Sequence, residues 1–73
     1  MIYRDIEIQV IRWAEARRII PHATTSSQLL KALSEMGELA DAEGKRDLPA
    51  IKDAVGDIVV CLINYCEIGR AHV

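Results

Sequence analysis

Hydrophobic positions recur along this chain at helical spacing in three blocks. In the first, Tyr3, Ile6, Val10, Trp13 and Ala14 form one stripe, and Arg4, Glu7, Arg12 and Glu15 fill much of the rest. Such a pattern marks an amphipathic helix. It predicts a helix from Tyr3 to about Arg18, ended ahead of Pro21, because the residue before a proline is driven out of the α region. Ile8, Ile11 and Ile19 lie off the main stripe, so this helix is expected to touch more than one neighbour. Trp13 is expected as a core anchor.

The segment Pro21 to Ser26 reads as a loop, and His22 within it has no acidic, His or Cys partner at ligand spacing. Thr25-x-x-Gln28 then has the spacing of a capping box ahead of Leu29-Leu30. The helix that follows is predicted to reach Glu43, with Gly44 as its left-handed cap and Lys45-Arg46 beside the carbonyl end. At about 100° per residue its two faces separate. Leu29, Leu30, Ala32, Leu33, Met36, Gly37, Leu39 and Ala40 take one side, while Gln28, Lys31, Glu35 and Glu38 share a stripe on the other. Glu35 and Glu38 stand one turn apart and repel by a few tenths of a kcal/mol.

Asp47 is placed as the N-cap of a third helix, with Pro49 tolerated in its first turn. From about Pro49 to Ile68 this helix is apolar nearly all round, which predicts burial. Ile51, Val55, Ile58, Val59, Leu62 and Cys66 take one side, and Val60 and Ile63 another. Its narrow polar stripe is Asp53, Asp57 and Asn64, with Cys61 between the last two. A carboxylate such as Asp57 in so apolar a helix costs several kcal/mol unless it is neutralised, paired or metal-bound. Arg70 to Val73 are expected to fray.

With 73 residues the chain is expected to be one domain, 1–73, and a small one that is marginal without help. Hydrophobic residues make up 51% of it, yet Phe is absent and there is one Trp, so the core is aliphatic and some apolar surface is expected against other subunits. A net charge of −2 gives no reason to expect nucleic acid or an anionic membrane. The apolar run Ile58 to Ile63 is too short to span a bilayer. Arg4, Asp5 and Glu7 interrupt any signal sequence, and Cys61 and Cys66, on different helical faces, read as free thiols; a soluble cytoplasmic protein is expected.

The short connection between the second and third helices favours an antiparallel pair. That pairing gathers Glu35, Glu38, Asp57 and Asp53 into a carboxylate cluster. Oxygen-only ligands suit Mg²⁺ or Mn²⁺, whose open positions take water and substrate phosphates, with Lys31 one turn away to meet a phosphate oxygen. The residues that compose this cluster, Gln28-x-x-Lys31-x-x-x-Glu35-x-x-Glu38-Leu39 and Lys52-Asp53-Ala54-Val55-Gly56-Asp57-Ile58-Val59-Val60, resemble the MazG-like all-α nucleoside triphosphate pyrophosphohydrolases. Trp13-Ala14-Glu15-Ala16-Arg17 resembles the first helix of their short, phage-type branch, and the likeness runs from about Trp13 to Asn64. Two departures stand out: Ala54 occupies the first acid position of the family's ExxD motif, with Asp53 as the nearest substitute, and Ser34 stands where many relatives carry Glu.

The resemblance implies Mg²⁺-dependent hydrolysis of a nucleoside triphosphate to the monophosphate and pyrophosphate. Glu38 and Glu35 would be catalytic, Glu35, Glu38, Asp57 and Asp53 metal ligands, and Lys31, Gln28 and Asn64 substrate-binding. The family domain is longer, so the resemblance also implies a three-helix subunit completed as a homodimer or homotetramer bundle. The alternative is a non-catalytic helical module, a degenerate relative that binds nucleotides or serves assembly.

Overall fold

The computed structural model describes residues 2–71, helical apart from Ile2 and short connections. Its elements are α1 (Tyr3–Ala16), a short α2 (Ile19–His22), α3 (Thr25–Lys45) and α4 (Leu48–Ala71). The fold is all-α, with three long helices. The expected boundaries hold to within a few residues, and each shift has a local cause. α1 closes early because Arg18 turns left-handed, at φ 61°. Ile20 is extended, at φ −102° and ψ 125°, as a residue ahead of a proline must be, so α2 is a bent turn. The cap of α3 is Thr24 rather than Thr25, with its hydroxyl oxygen accepting from the Ser27 N–H at 3.0 Å.

At the other end α3 runs through Gly44, and Arg46 takes the left-handed position at φ 53°. The Asp47 N–H donates to the Ala42 carbonyl and the Arg46 N–H to Glu43, each at 3.1 Å, which closes a Schellman motif. An Asp41–Lys45 pair at 3.0 Å spans the last turn and holds Gly44 inside the helix. Asp47 caps α4 as expected, accepting from the Ala50 N–H at 3.2 Å. α4 continues past Gly69 to Ala71, so Arg70 is helical rather than frayed; His72 and Val73 lie outside the described residues.

α3 and α4 form an extensively packed antiparallel pair, and α1 rests on α4 alone among the long helices. Antiparallel order is fixed at one end by the tight Arg46-Asp47 connection. At the other, a Cβ placed on Gly69 would lie 3.6 Å from the Thr25 methyl. Two expectations about faces fail. α4 is not buried all round: Val55 is 44% and Leu62 45% exposed. The seam of the pair is built instead from Gln28, Ala32 and Ala42 of α3 and Ala54, Cys61, Asn64 and Ile68 of α4.

The large apolar side chains of α3 point outward, with Leu29 52%, Leu33 67% and Met36 51% exposed. These residues follow the seam positions of α3 by one, as Val55 and Leu62 follow those of α4. Equal angular offsets in an antiparallel pair bring both stripes to the same side. One flank of the pair is therefore a continuous apolar face, and α1 lies on the opposite flank. The radius of gyration, 13.0 Å, exceeds the roughly 11 Å of a compact chain this long. No helix among the described residues is long and apolar enough to cross a membrane.

Candidate functional site

The polar stripe of α3 and the polar stripe of α4 meet along the seam. At its far end the Asn64 amide donates to the Gln28 side-chain oxygen at 3.4 Å, and both residues are buried. Asn64 Oδ1 is left without a partner. One to two turns along α3 stands Glu35, half-buried, its Oε2 out of reach of water and unpartnered. The neighbouring Glu38 carboxyl as a hydrogen-bonding partner, then burial, then repulsion from Glu38 and Asp57, raise the Glu35 carboxyl above the usual glutamate range, with Lys31 pulling the other way. The buried Cys61 thiol lies in the same field: burial pushes it up, and Lys31, Glu35 and Asp57 all act on it. It stays a thiol.

Asp57 is exposed, not buried, which corrects the expectation drawn from its apolar neighbours. It gains that exposure because α1 packs loosely beside it, leaving open clefts on both sides of Asp57. The described residues put no cation within ion-pair reach of it. With Glu38, Asp41, Asp53 and Ala54 it lines an open cleft of about 500 Å³ between α3 and the start of α4. Glu38, Asp53 and Asp57 are thus brought to one cleft, while Glu35 approaches from the seam side. Asp41 and Lys45 also border the cleft. Gln28 and Asn64 are not brought to this cleft, being bonded to each other in the seam.

Chemically, the arrangement concentrates carboxylate charge, with Lys45 paired to Asp41 at the cleft and Lys31 acting on Glu35. Among the described residues no three His, Cys, Asp or Glu side chains stand close enough to cage a metal ion. Mg²⁺ asks less than a cage, being held by one or two carboxylates, waters and substrate phosphates. The all-oxygen donors and the orphaned Glu35 Oε2 fit such a hard cation. Comparison with known proteins yields no match, whether to a protein-family model, a curated protein or a solved structure. What the chain does is therefore argued from this geometry.

A second cleft, of about 340 Å³, adjoins the first between α1 and α4 and is lined by Gln9, Val10, Trp13, Asp57 and Val60. Trp13, expected in the core, is 45% exposed there. α1 is too lightly packed to bury a side chain of that size, and Ala14 beside it makes the close contact instead. Only the Trp13/Arg17 spacing, one turn apart, hinted at a surface role: the guanidinium carbon lies 5.2 Å from the ring centroid.

Proposed function

We propose that this chain is a Mg²⁺- or Mn²⁺-dependent nucleoside triphosphate pyrophosphohydrolase of MazG-like type, working in the cytoplasm as a homodimer or homotetramer. The observation that carries this reading is the convergence of Glu35, Glu38 and Asp57 across the α3/α4 seam, against their mutual repulsion. Like charges are not gathered to stabilise a fold; here they raise the Glu35 carboxyl and are opposed only by Lys31. Perturbed carboxyls in a cleft are candidates for function.

Glu38 and Asp57 would hold the metal from the cleft, with Asp53 and Glu35 flanking it and waters and substrate phosphates in its other positions; the bound ion would neutralise charge developing on the phosphate oxygens. Glu38 orients the attacking water. Glu35, whose raised carboxyl makes it the stronger base once ionised, receives the water's proton. The Lys31 ammonium steadies the departing pyrophosphate. Gln28 and Asn64 act through the seam they hold together rather than at the phosphates.

The oligomer is supported by area. The chain exposes 5397 Å², about 900 Å² more than the ~4,500 Å² of a compact monomer of its mass. Each partner in a standard interface buries about 800 Å². The apolar flank of the pair lies opposite the acidic cleft, so a second copy seated there leaves the cleft open.

One observation favours the alternative, a module that binds nucleotides without turnover. Ala54, only 4% exposed, lines the acidic cleft at the place of the missing acid. Pyrophosphate release from a panel of ribo- and deoxyribonucleoside triphosphates, with and without Mg²⁺, tests the two readings. Metal-dependent release from at least one nucleotide is expected. No release from any, together with release after Ala54→Glu, would establish the inactive module.

A further inference from the structure

We infer that α1 pairs antiparallel with the α1 of a second copy, and so joins two apolar-flank dimers into a four-copy assembly. The inference rests on the preceding reading for that dimer alone. The surface it assigns is a third cleft, of about 500 Å³, between α1 and the end of α4. Along α1 its wall is Arg4, Ile8, Ile11, Arg12 and Glu15. The opposite wall is the Glu67–Arg70 pair of α4, whose members satisfy each other. This cleft shares no residue with the acidic cleft or with the cleft at Trp13. The apolar flank lies on the far side of the helix pair, so both surfaces can be occupied at once.

Arg4 and Glu15 stand at the wrong ends of their helix. A helix carries partial positive charge at its N-terminus and partial negative charge at its C-terminus. Arg4 is in the first turn of α1 and Glu15 in the last, each beside charge of its own sign. Among the described residues Asp5, Arg12 and Glu15 have no ion-pair partner, and Arg4 meets only Glu7, one turn along the same helix. Ile8 and Ile11, between the charges, are only half-buried. A small ion of either sign would meet like charge in this cleft. The occupant must carry both signs at the same spacing, and α1 itself does.

Arg4, Ile8, Ile11 and Glu15 follow alternate steps of four and three residues, the spacing of a helix–helix seam. When a second copy is laid antiparallel about the Gln9–Val10 bond, Arg4 comes opposite Glu15 and Ile8 opposite Ile11, in both directions. Four isoleucines then form the centre and an Arg–Glu pair closes each end. Asp5 and Arg12 line one open surface on the outer flank of that seam, so across the two-fold axis each has the other as its nearest charged neighbour. Parallel pairing would set Arg4 on Arg4 and Glu15 on Glu15, so the charges choose the direction. One helix face is a small contact and weak by itself. A closed four-copy assembly makes it twice.

Sedimentation equilibrium of the whole chain reads the number of copies. Four are expected for the wild type and two for Arg4→Glu or Glu15→Arg, with the joining of dimers weakened by roughly a hundredfold or more. The double variant Arg4→Glu/Glu15→Arg exchanges the charges and should return to four. Both reversals suit the dipole of α1, so the helix survives them. A wild type of two copies that Leu33→Glu reduces to one overturns the pairing and leaves the flank dimer. A wild type of two copies reduced by Arg4→Glu and not by Leu33→Glu does the reverse. A single-chain wild type overturns both. Four copies in every charge variant, or two in the double variant, also overturns the pairing. A four-copy protein that shows the expected response and releases no pyrophosphate keeps the pairing and loses the hydrolase.

Discussion

Glu35 and Asp57 are coupled, and the coupling can be read through pH. The Glu35 carboxyl is held above its ordinary value by the hydrogen-bonding neighbour Glu38, by burial and by repulsion. Over the window between the ordinary and the raised value, the folded chain binds more protons than the unfolded one. Stability of the metal-free protein must then fall as pH rises through that window, and be fully present below it. Glu35→Gln is expected to flatten this part of a stability–pH curve measured by denaturant unfolding. Asp57→Asn removes one source of the repulsion. It should shift the Glu35 carboxyl back toward the ordinary range in an NMR titration. Asp57 has no cationic partner to strand, so the metal-free melting temperature should hold or rise. The rise in melting temperature produced by Mg²⁺ should shrink or vanish in that variant. A loss of several kcal/mol in the metal-free variant would show instead that Asp57 serves the fold.

Among the elements, the caps were the most legible part of the sequence. Asp47 and Pro49 announced the start of α4 correctly, because a side-chain acceptor at an N-cap depends only on neighbouring backbone. Gly44 misled for the same kind of reason. It is the residue best suited to a left-handed cap, yet the Asp41–Lys45 pair and the turn into α4 carry the helix on to Arg46. A non-glycine residue held left-handed costs roughly 1–2 kcal/mol. Arg46→Gly is therefore expected to stabilise the chain by up to about 1 kcal/mol, a gain of several degrees in melting temperature by calorimetry. Periodicity named every stripe of α3 and α4 but not which stripe meets which neighbour. Gln28, Glu35 and Asn64 were recognised as polar and as candidates; that Gln28 and Asn64 would be sealed inside the seam, with Leu29, Leu33 and Met36 outside, follows from packing that one helix does not encode. Trp13 was misplaced on the same ground.

For the whole molecule, the inverted arrangement makes a definite statement about assembly. Leu33, two-thirds exposed in the single chain, sits in the middle of the apolar flank. Leu33→Glu should cost an isolated subunit little, within about 0.5 kcal/mol. In a dimer joined by that flank it should bury an unpaired charge and separate the copies. Light scattering after size exclusion should give a multiple of 8.1 kDa for the wild type and the single-chain mass for Leu33→Glu. A wild type that is already a single chain at micromolar concentration would remove the assembly from the proposal. The helices are also unequally held. α3 and α4 grip each other along their whole length, pinned by the short connection at one end and Gln28–Asn64 at the other, while α1 leans on α4 and is tethered through the bent turn at Ile20. Sub-global opening begins where buried contact is least. α1 is the leaf of a door whose frame is the helix pair: its amide hydrogens exchange with solvent first, and Trp13 swings with it while the acids stay in register.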